Sequence, residues 1–219
     1  MNQQEEVISA VQNGDAERLG TLLKQSPALA GARDASGVSA IMHALYRRQR
    51  GALDLLLAAR HDLDIFEATS AGRSERVTEL LRRDPTLATA WSADGFTALH
   101  FAAFFAQEAI AVQLLEHGAD AAAQARNAMK VMPLHSAAAA HNVAIVQALL
   151  EHGAPPNARQ ERGWAAIHEA AQNGDKAMVE LLLKHGADRL LANDDGTRPI
   201  DLAGKNGHTE IAKLLSAAQ

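Results

Sequence analysis

The sequence predicts an all-α solenoid, and three observations predict it. Alanine and leucine are abundant while aromatic residues make up only 4% of the chain, and side chains of that kind suit small, closely packed helices better than a sheet sandwich. One phrase recurs: GFTALHFAA (95–103), VMPLHSAAA (131–139), GWAAIHEAA (163–171) and GTRPIDLAG (196–204) align, which puts His100, His135, His168 and Asp201 in one column at steps of 35, 33 and 33 residues. A second phrase keeps step with the first, as LLEHGAD (114–120), LLEHGAP (149–155) and LLLKHGAD (181–188). A unit repeated at this period buries its core against its neighbours and is not stable alone.

The joints between the phrases give each unit its internal order. In AAQNGDKAMVELLLKHGAD (170–188), the apolar Ala171, Met178, Val179, Leu181, Leu182 and Leu183 fit two short helices meeting at Asn173-Gly174. Glycine there takes the left-handed conformation that ends a helix without a Cβ penalty. Gly118, Gly153 and Gly186 are expected to close each second helix in the same way. Each unit therefore reads as helix, tight turn, second helix and projecting turn, or finger.

The first half repeats more loosely. GVSAIMHAL (37–45) aligns with Met42 in the histidine column, and AVQNGDAERLGTLLKQSP (10–27) and ATSAGRSERVTELLRRDP (68–85) carry the helix–turn–helix part with Gly14 and Gly72 at the inner turn. In these two units Pro27 and Pro85 stand in place of the glycine-alanine exit and are expected to stop the second helix. HDLDIFEA, from His61, leaves no room for a finger, and the step from Met42 to Phe66 is only 24 residues. The reading is a missing finger, with Phe66 in the histidine column of an abbreviated third unit.

The phrases G-x-T-A-L-H-x-A-A and L-L-x-x-G-A-D, returning in register near 33 residues, closely resemble the ankyrin repeat, and the resemblance covers essentially the whole chain. It implies a single domain, 1–219, of seven units: 1–34, 35–63, 64–91, 92–126, 127–159, 160–192 and a short cap at 193–219. It also implies a concave groove, lined by fingers and first helices, that contacts partners. The two end units should be polar on their outer sides, and Glu5, Glu6, Glu17 and Arg18 at one end, with Glu210, Lys213 and Gln219 at the other, meet that demand.

Charge and composition exclude several classes of function. The net charge is −5 and the pI near 6.0, which gives no general attraction to nucleic acid. Arg47, Arg48, Arg50, Arg73, Arg76, Arg82 and Arg83 concentrate in the first half, but Asp54, Asp62, Asp64, Glu67, Glu75, Glu79 and Asp84 are interleaved with them and predict a solvated mixed face. Cysteine is absent, which removes disulfides, thiolate catalysis and cysteine zinc sites. No run approaches the 18 apolar residues of a membrane span, and MNQQEEVISAVQNGD lacks the basic-then-apolar pattern of a leader. A cytoplasmic protein that binds neither membrane nor nucleic acid is expected.

The ten histidines invite a metal or general base, but their spacing opposes it. Copies one repeat apart lie roughly 10 Å apart in packed helices, whereas zinc ligands lie about 2 Å from the ion. The resemblance gives His100, His135 and His168 a structural role bonding neighbouring turns. His117, His152 and His185 precede the helix-ending glycines and can cap the negative helix end. Ser136 beside His135 and Ser70 near Glu67 are incidental pairs without a third orienting group. Asp194-Asp195-Gly196 lacks the acidic ligands that would continue a calcium loop. No phosphate loop, HExxH or GxSxG occurs. The expectation is a protein without catalytic residues, metal or cofactor.

What the repeat does not explain is its aromatic residues. Phe104 and Phe105 fall at the outer end of a first helix, where later units carry Ala139-Ala140, Gln172-Asn173 and Lys205-Asn206; Phe96 follows a finger glycine, and Trp91 stands at the entrance of that finger. Trp164 crowns a finger two units on, and Met129, Lys130, Val131 and Met132 fill the one between, with Lys130 at the turn-glycine position. Aromatic residues and methionine on one exposed face are the usual composition of an interaction hot spot. Arg159, Glu161 and Arg162 would form part of a polar rim, and Tyr46 and Arg47, which match Phe104 and Phe105, would extend the groove. The competing reading is packing: Phe101, Phe105 and Phe66 fill a gap left beside the abbreviated unit.

The function expected is non-catalytic recognition of a protein partner through the groove of units four to six, with Phe104 and Trp164 each contributing about 2 kcal/mol. Two alternatives remain open: an enzyme with a cryptic site, or an accessory module of one, and a homodimer pairing the aromatic face with itself in place of a monomer.

Overall fold

A computed structural model describes residues 2–216. Gln219, expected in the polar cap, lies outside the described residues. Within them the chain folds into helix–turn–helix pairs: α1 (Gln3–Asn13) with α2 (Ala16–Gln25), α3 (Ala40–Tyr46) with α4 (Arg50–Ala59), α5 (Ile65–Ser70) with α6 (Ser74–Arg83), α7 (Ala98–Phe104) with α8 (Glu108–Glu116), α9 (Pro133–Ala139) with α10 (Val143–Glu151), α11 (Ala166–Asn173) with α12 (Lys176–Lys184), and α13 (Pro199–Lys205) with α14 (Thr209–Ser216). First helices stack on first helices and second on second, so one core runs along the array. Leu19, Ile41, Leu56, Ile65, Leu81, Leu99, Leu114, Leu134 and Leu149 are fully buried in it.

Capping explains where each first helix begins. The side chain of Thr97 accepts the His100 amide, and His100 Nδ1 accepts the Thr97 amide in return; a reciprocal box of this kind satisfies two orphan N–H groups. His135 and His168 repeat the second half of it, accepting the Met132 and Ala165 amides at 3.1 Å. Because Nδ1 accepts, the ring proton sits on Nε2, and His100 and His135 donate it to the carbonyls of Val131 and Ala158 at 3.0 Å. Burial pushes the pKa of His100 down to about 4, and lowers those of His135 and His168. His100 and His135 are thus neutral rungs that hydrogen-bond one unit to the next. At the other helix end, His117 and His152 donate Nδ1–H to the carbonyl four residues back, at 2.8 Å.

Fingers tie neighbouring pairs together by backbone bonds: Arg126 N–H to Gly95 O at 2.8 Å, Glu161 N–H to Met129 O at 3.2 Å and Asp194 N–H to Arg162 O at 3.0 Å. A Cβ at Gly95 would lie 3.0 Å from the Arg126 backbone, with φ at +82°, so only glycine fits this junction. Lys130 adopts φ 51° at the position that is glycine elsewhere. The inner turns share one left-handed residue, Gly14, Gly72, Gly174 and Gly207 in four pairs but Arg48, Ala106 and His141 in the other three.

The shortened third pair departs from the sequence reading in two ways. Its first helix is capped by Asp64, whose side chain accepts the Glu67 amide at 2.8 Å while Glu67 accepts the Asp64 amide at 3.0 Å. The cap sets the register, so Glu67, not Phe66, occupies the histidine column, and Phe66 falls where Leu99 and Leu134 stand. Glu67 is also no part of a solvated face: its side chain is 1% exposed and held by Arg60 Nη1 at 3.1 Å. Arg33, reaching from the preceding finger, pairs with Asp64 at 2.7 Å. This ionic cluster occupies the place of the missing finger. The prolines behave as expected: α2 and α6 stop before Pro27 and Pro85, each of which opens a short 3₁₀ turn. Contact between α4 and α6 is the thinnest in the row of second helices.

Candidate functional site

Seen from the first helices, the aromatic residues divide into a floor and a rim. Phe101 is 3% exposed and packs its ring on Phe66 at 6.0 Å and Phe96 at 5.7 Å, in edge-on geometry. Phe66 and Phe101, two of the three residues of the packing reading, are thus in ring contact with each other. Phe104, one turn further along α7, is 53% exposed, and its ring stands at 89° to Phe105, 5.0 Å between centroids. Phe105 is half-buried and stacks on Tyr46 at 6.1 Å. Adjacent residues on a helix point about 100° apart, which is why one ring packs and the other faces water.

Between the ends of α3, α7 and α9 and two fingers lies a groove of about 430 Å³. Tyr46, Phe96, Phe104, Met129 and Val131 form its apolar walls, with Phe101 and Ala139; His100, His135, Ser136, Asp94 and Gln160 supply its polar atoms. Met129 is 45% exposed and Tyr46 38%. Tyr46 Oη donates to Asp94 Oδ2 at 2.6 Å, and desolvation, then Asp94, pushes the phenol pKa well up. Desolvation also raises the Glu169 carboxyl.

Two recesses continue the groove. One of about 340 Å³ shares Met129, Val131 and Gln160 with it and is bounded by Trp164, Glu161, Arg162 and Glu169. Another of about 420 Å³ shares Tyr46, Phe104 and Ala139 and is bounded by Phe105, Arg48, Arg50 and Leu53. Together they cross the stack from inner turns to fingertips.

The residues singled out in the sequence do not all meet there. Trp164 is half-buried with its ring 5.7 Å from His168; it belongs to the finger-side recess and is separated from Phe104 by Met129 and Val131. Trp91 faces a different hollow, with Arg33, Met42 and Phe66, and the Arg126 guanidinium sits 4.1 Å over its ring. Arg162 is exposed and paired with Asp195 at 2.7 Å. Lys130 and Arg47 are exposed but bound none of these hollows. Sequence reasoning missed Asp94, Gln160, Arg48 and Arg50. The Arg47-Arg48-Gln49-Arg50 run was a usable signal for the last two; nothing in the sequence announces that Asp94 meets Tyr46.

Among the described residues no group of three or more His, Asp or Glu could hold a metal ion, and none of their helices is long and apolar enough to cross a membrane. Helix pairs stacked in register, joined by hydrogen-bonded projecting turns and a histidine ladder, define a helical-repeat solenoid. The family described as ankyrin repeats (three copies) matches residues 65–160 and 134–219, more than half of the chain, and the protein belongs to the ankyrin-repeat family. A search of curated proteins gave no match.

Proposed function

We propose that this protein is a non-catalytic recognition module, one domain of seven repeat units, that holds a partner protein in the groove between Tyr46, Phe96, Phe104 and Met129. Ankyrin repeats are in general protein–protein interaction modules. The observation that carries the assignment to this face is the exposure of Phe104, Met129 and Tyr46 around one apolar groove, with Phe104 and Tyr46 in a column where later pairs carry Ala139, Gln172 or Lys205. The fold does not need those side chains there, and exposed apolar clusters mark contact sites. The scaffold fixes the rim before binding, so little ordering entropy opposes association. Trp91 and Arg47 have the weaker claim, since they lie outside the groove and its two extensions.

The test is capture of partners from a lysate of the source cells on immobilised protein, wild type beside Phe104→Ser/Met129→Ser. Both substituted residues are exposed, so the variant should keep its circular dichroism. A partner held by the wild type and lost by the variant supports the reading; one held equally by both removes it. Sedimentation at several concentrations separates a monomer from a dimer formed through the same face.

A further inference from the structure

The rim of the groove is not electrically neutral. At the inner turn of the second pair, Arg47, Arg48 and Arg50 are all exposed, and Arg48 and Arg50 bound the recess that Tyr46 and Phe104 share with the groove. Among the described residues none of the three is in an ion pair, whereas Arg33, Arg60 and Arg76 nearby all are. Arg73 follows the inner turn of the next pair and is exposed and without an ion pair among the described residues. Glu108, further along the same row, is held by Asn142 at 3.0 Å. A protein of net charge −5 presents a local cationic edge beside this apolar groove. Guanidinium groups favour planar, two-oxygen acceptors such as carboxylates.

We propose that the groove's occupant is an acidic segment of a partner polypeptide bearing a large apolar side chain. The apolar side chain seats between Phe96, Phe104, Met129 and Tyr46, and carboxylates on the same segment meet Arg48 and Arg50. The groove shares lining residues with each recess, and the two recesses share none with each other, so an extended chain can pass from one through the groove to the other. The groove's own acid, Asp94, already accepts from Tyr46 and Ser92 and leaves the arginines as the open charges at that end. This inference rests on the protein-recognition reading and adds the chemistry of the partner.

The test is selection from a random peptide display library on the full chain, followed by anisotropy of the enriched peptides, synthesised with a fluorescein label. Enriched peptides should be net negative around a large apolar residue. Their affinity should fall at least tenfold in Arg48→Glu/Arg50→Glu, and fall with added salt as exposed charge pairs do. Glutamate and arginine meet the same backbone demand at position 48, where φ is 54°, so the variant should melt like the wild type. Peptides of neutral or basic composition, or binding indifferent to the arginine changes, overturn the acidic assignment. If such binding is still lost in Phe104→Ser, the groove reading survives alone; if it is not, or if nothing is enriched, both fall. A labelled oligouridylate that binds the wild type more tightly than any peptide and loses affinity in Arg48→Glu/Arg50→Glu would also overturn it, in favour of nucleic acid.

Discussion

Tyr46 Oη and Asp94 Oδ2 lie 2.6 Å apart although 48 positions separate them in the chain. The bond spans the shortened α5–α6 pair, joining the end of α3 to the finger before α7. It is possible because α5 ends in Ser70 where α3 ends in Tyr46 and α7 in Phe104, so no large side chain stands at that helix end. Both partners line the groove, and the bond holds one of its walls in place. Removing it in Tyr46→Phe should cost about 1 kcal/mol, the usual net worth of one hydrogen bond, read as a lower urea midpoint.

Tyr46 is the only tyrosine, so its ionisation can be followed by absorbance near 295 nm without interference. Desolvation and then Asp94 raise its pKa. Absorbance should stay flat through the ordinary phenol range near about pH 10 and rise only at higher pH or on unfolding. A raised folded pKa means the stabilising contribution is complete below that range and is lost as pH climbs towards the folded value. Asp94→Asn should move the transition down; an unchanged transition would show that the pair does not interact.

The histidine ladder predicts acid sensitivity. His100 has its pKa depressed to about 4 by burial, against about 6.5 in an unfolded chain. Its contribution is present above the unfolded value and is lost as pH falls from about 6.5 through about 4, because the unfolded state binds the proton first. The loss is on the order of 3 kcal/mol at 1.36 kcal/mol per pKa unit. Urea midpoints of His100→Gln should be lower near neutrality but flatter over this interval than those of the wild type.

Glu67 should be the least replaceable acid of the third pair. It sits buried between Arg60 and Arg33, at 3.1 and 3.6 Å, and also closes the Asp64 capping box. Glu67→Ala removes the buried carboxylate shared by both guanidinium groups, leaving Arg33 with Asp64 and Arg60 with Asp62, and it opens the capping box; it should cost about 2 kcal/mol in urea unfolding. Glu79→Ala, which breaks solvent-accessible pairs within α6 to the half-buried Arg76 and the exposed Arg83, should change the midpoint very little.

Ala106 occupies the inner-turn position at φ 54° where Gly14, Gly72 and Gly174 stand in other pairs. A Cβ in the left-handed region is disfavoured by about 1–2 kcal/mol, part of which glycine returns through greater freedom when unfolded. Ala106→Gly should therefore stabilise by about 0.5–1 kcal/mol, seen as a higher melting temperature.

The helix pairs and their turns were legible because repetition multiplies a weak local signal: His100, His135 and His168 in one column fix the register of everything between them. Where the column carries no histidine, the register slipped. Phe66 looked like the odd residue of the third pair, yet the Asp64–Glu67 box sets the helix start, and a capping pair is a stronger determinant than an aromatic in an apolar column. Glu67 was misplaced for the same reason, since interleaved charges resemble a solvated face until two arginines converge on one carboxylate. Phe104 was readable because its column is small or polar in the later pairs, at Ala139, Gln172 and Lys205. Trp91 and Trp164 were not separable from it, because the sequence gives each finger's composition but not which side of the finger a ring will take. The Tyr46–Asp94 bond depends on a pair being skipped, and pairing across a skipped unit leaves no local trace.

The central claim, that Phe104 faces a protein partner, is tested most directly by photo-crosslinking from that position. The photoreactive residue p-benzoylphenylalanine would replace Phe104 in one preparation and Leu190, exposed on a different part of the stack, in another, each irradiated in a lysate of the source cells. A discrete adduct of one protein from position 104, absent from position 190, is the predicted result. Equal labelling from both positions, or no protein adduct from position 104, would contradict it.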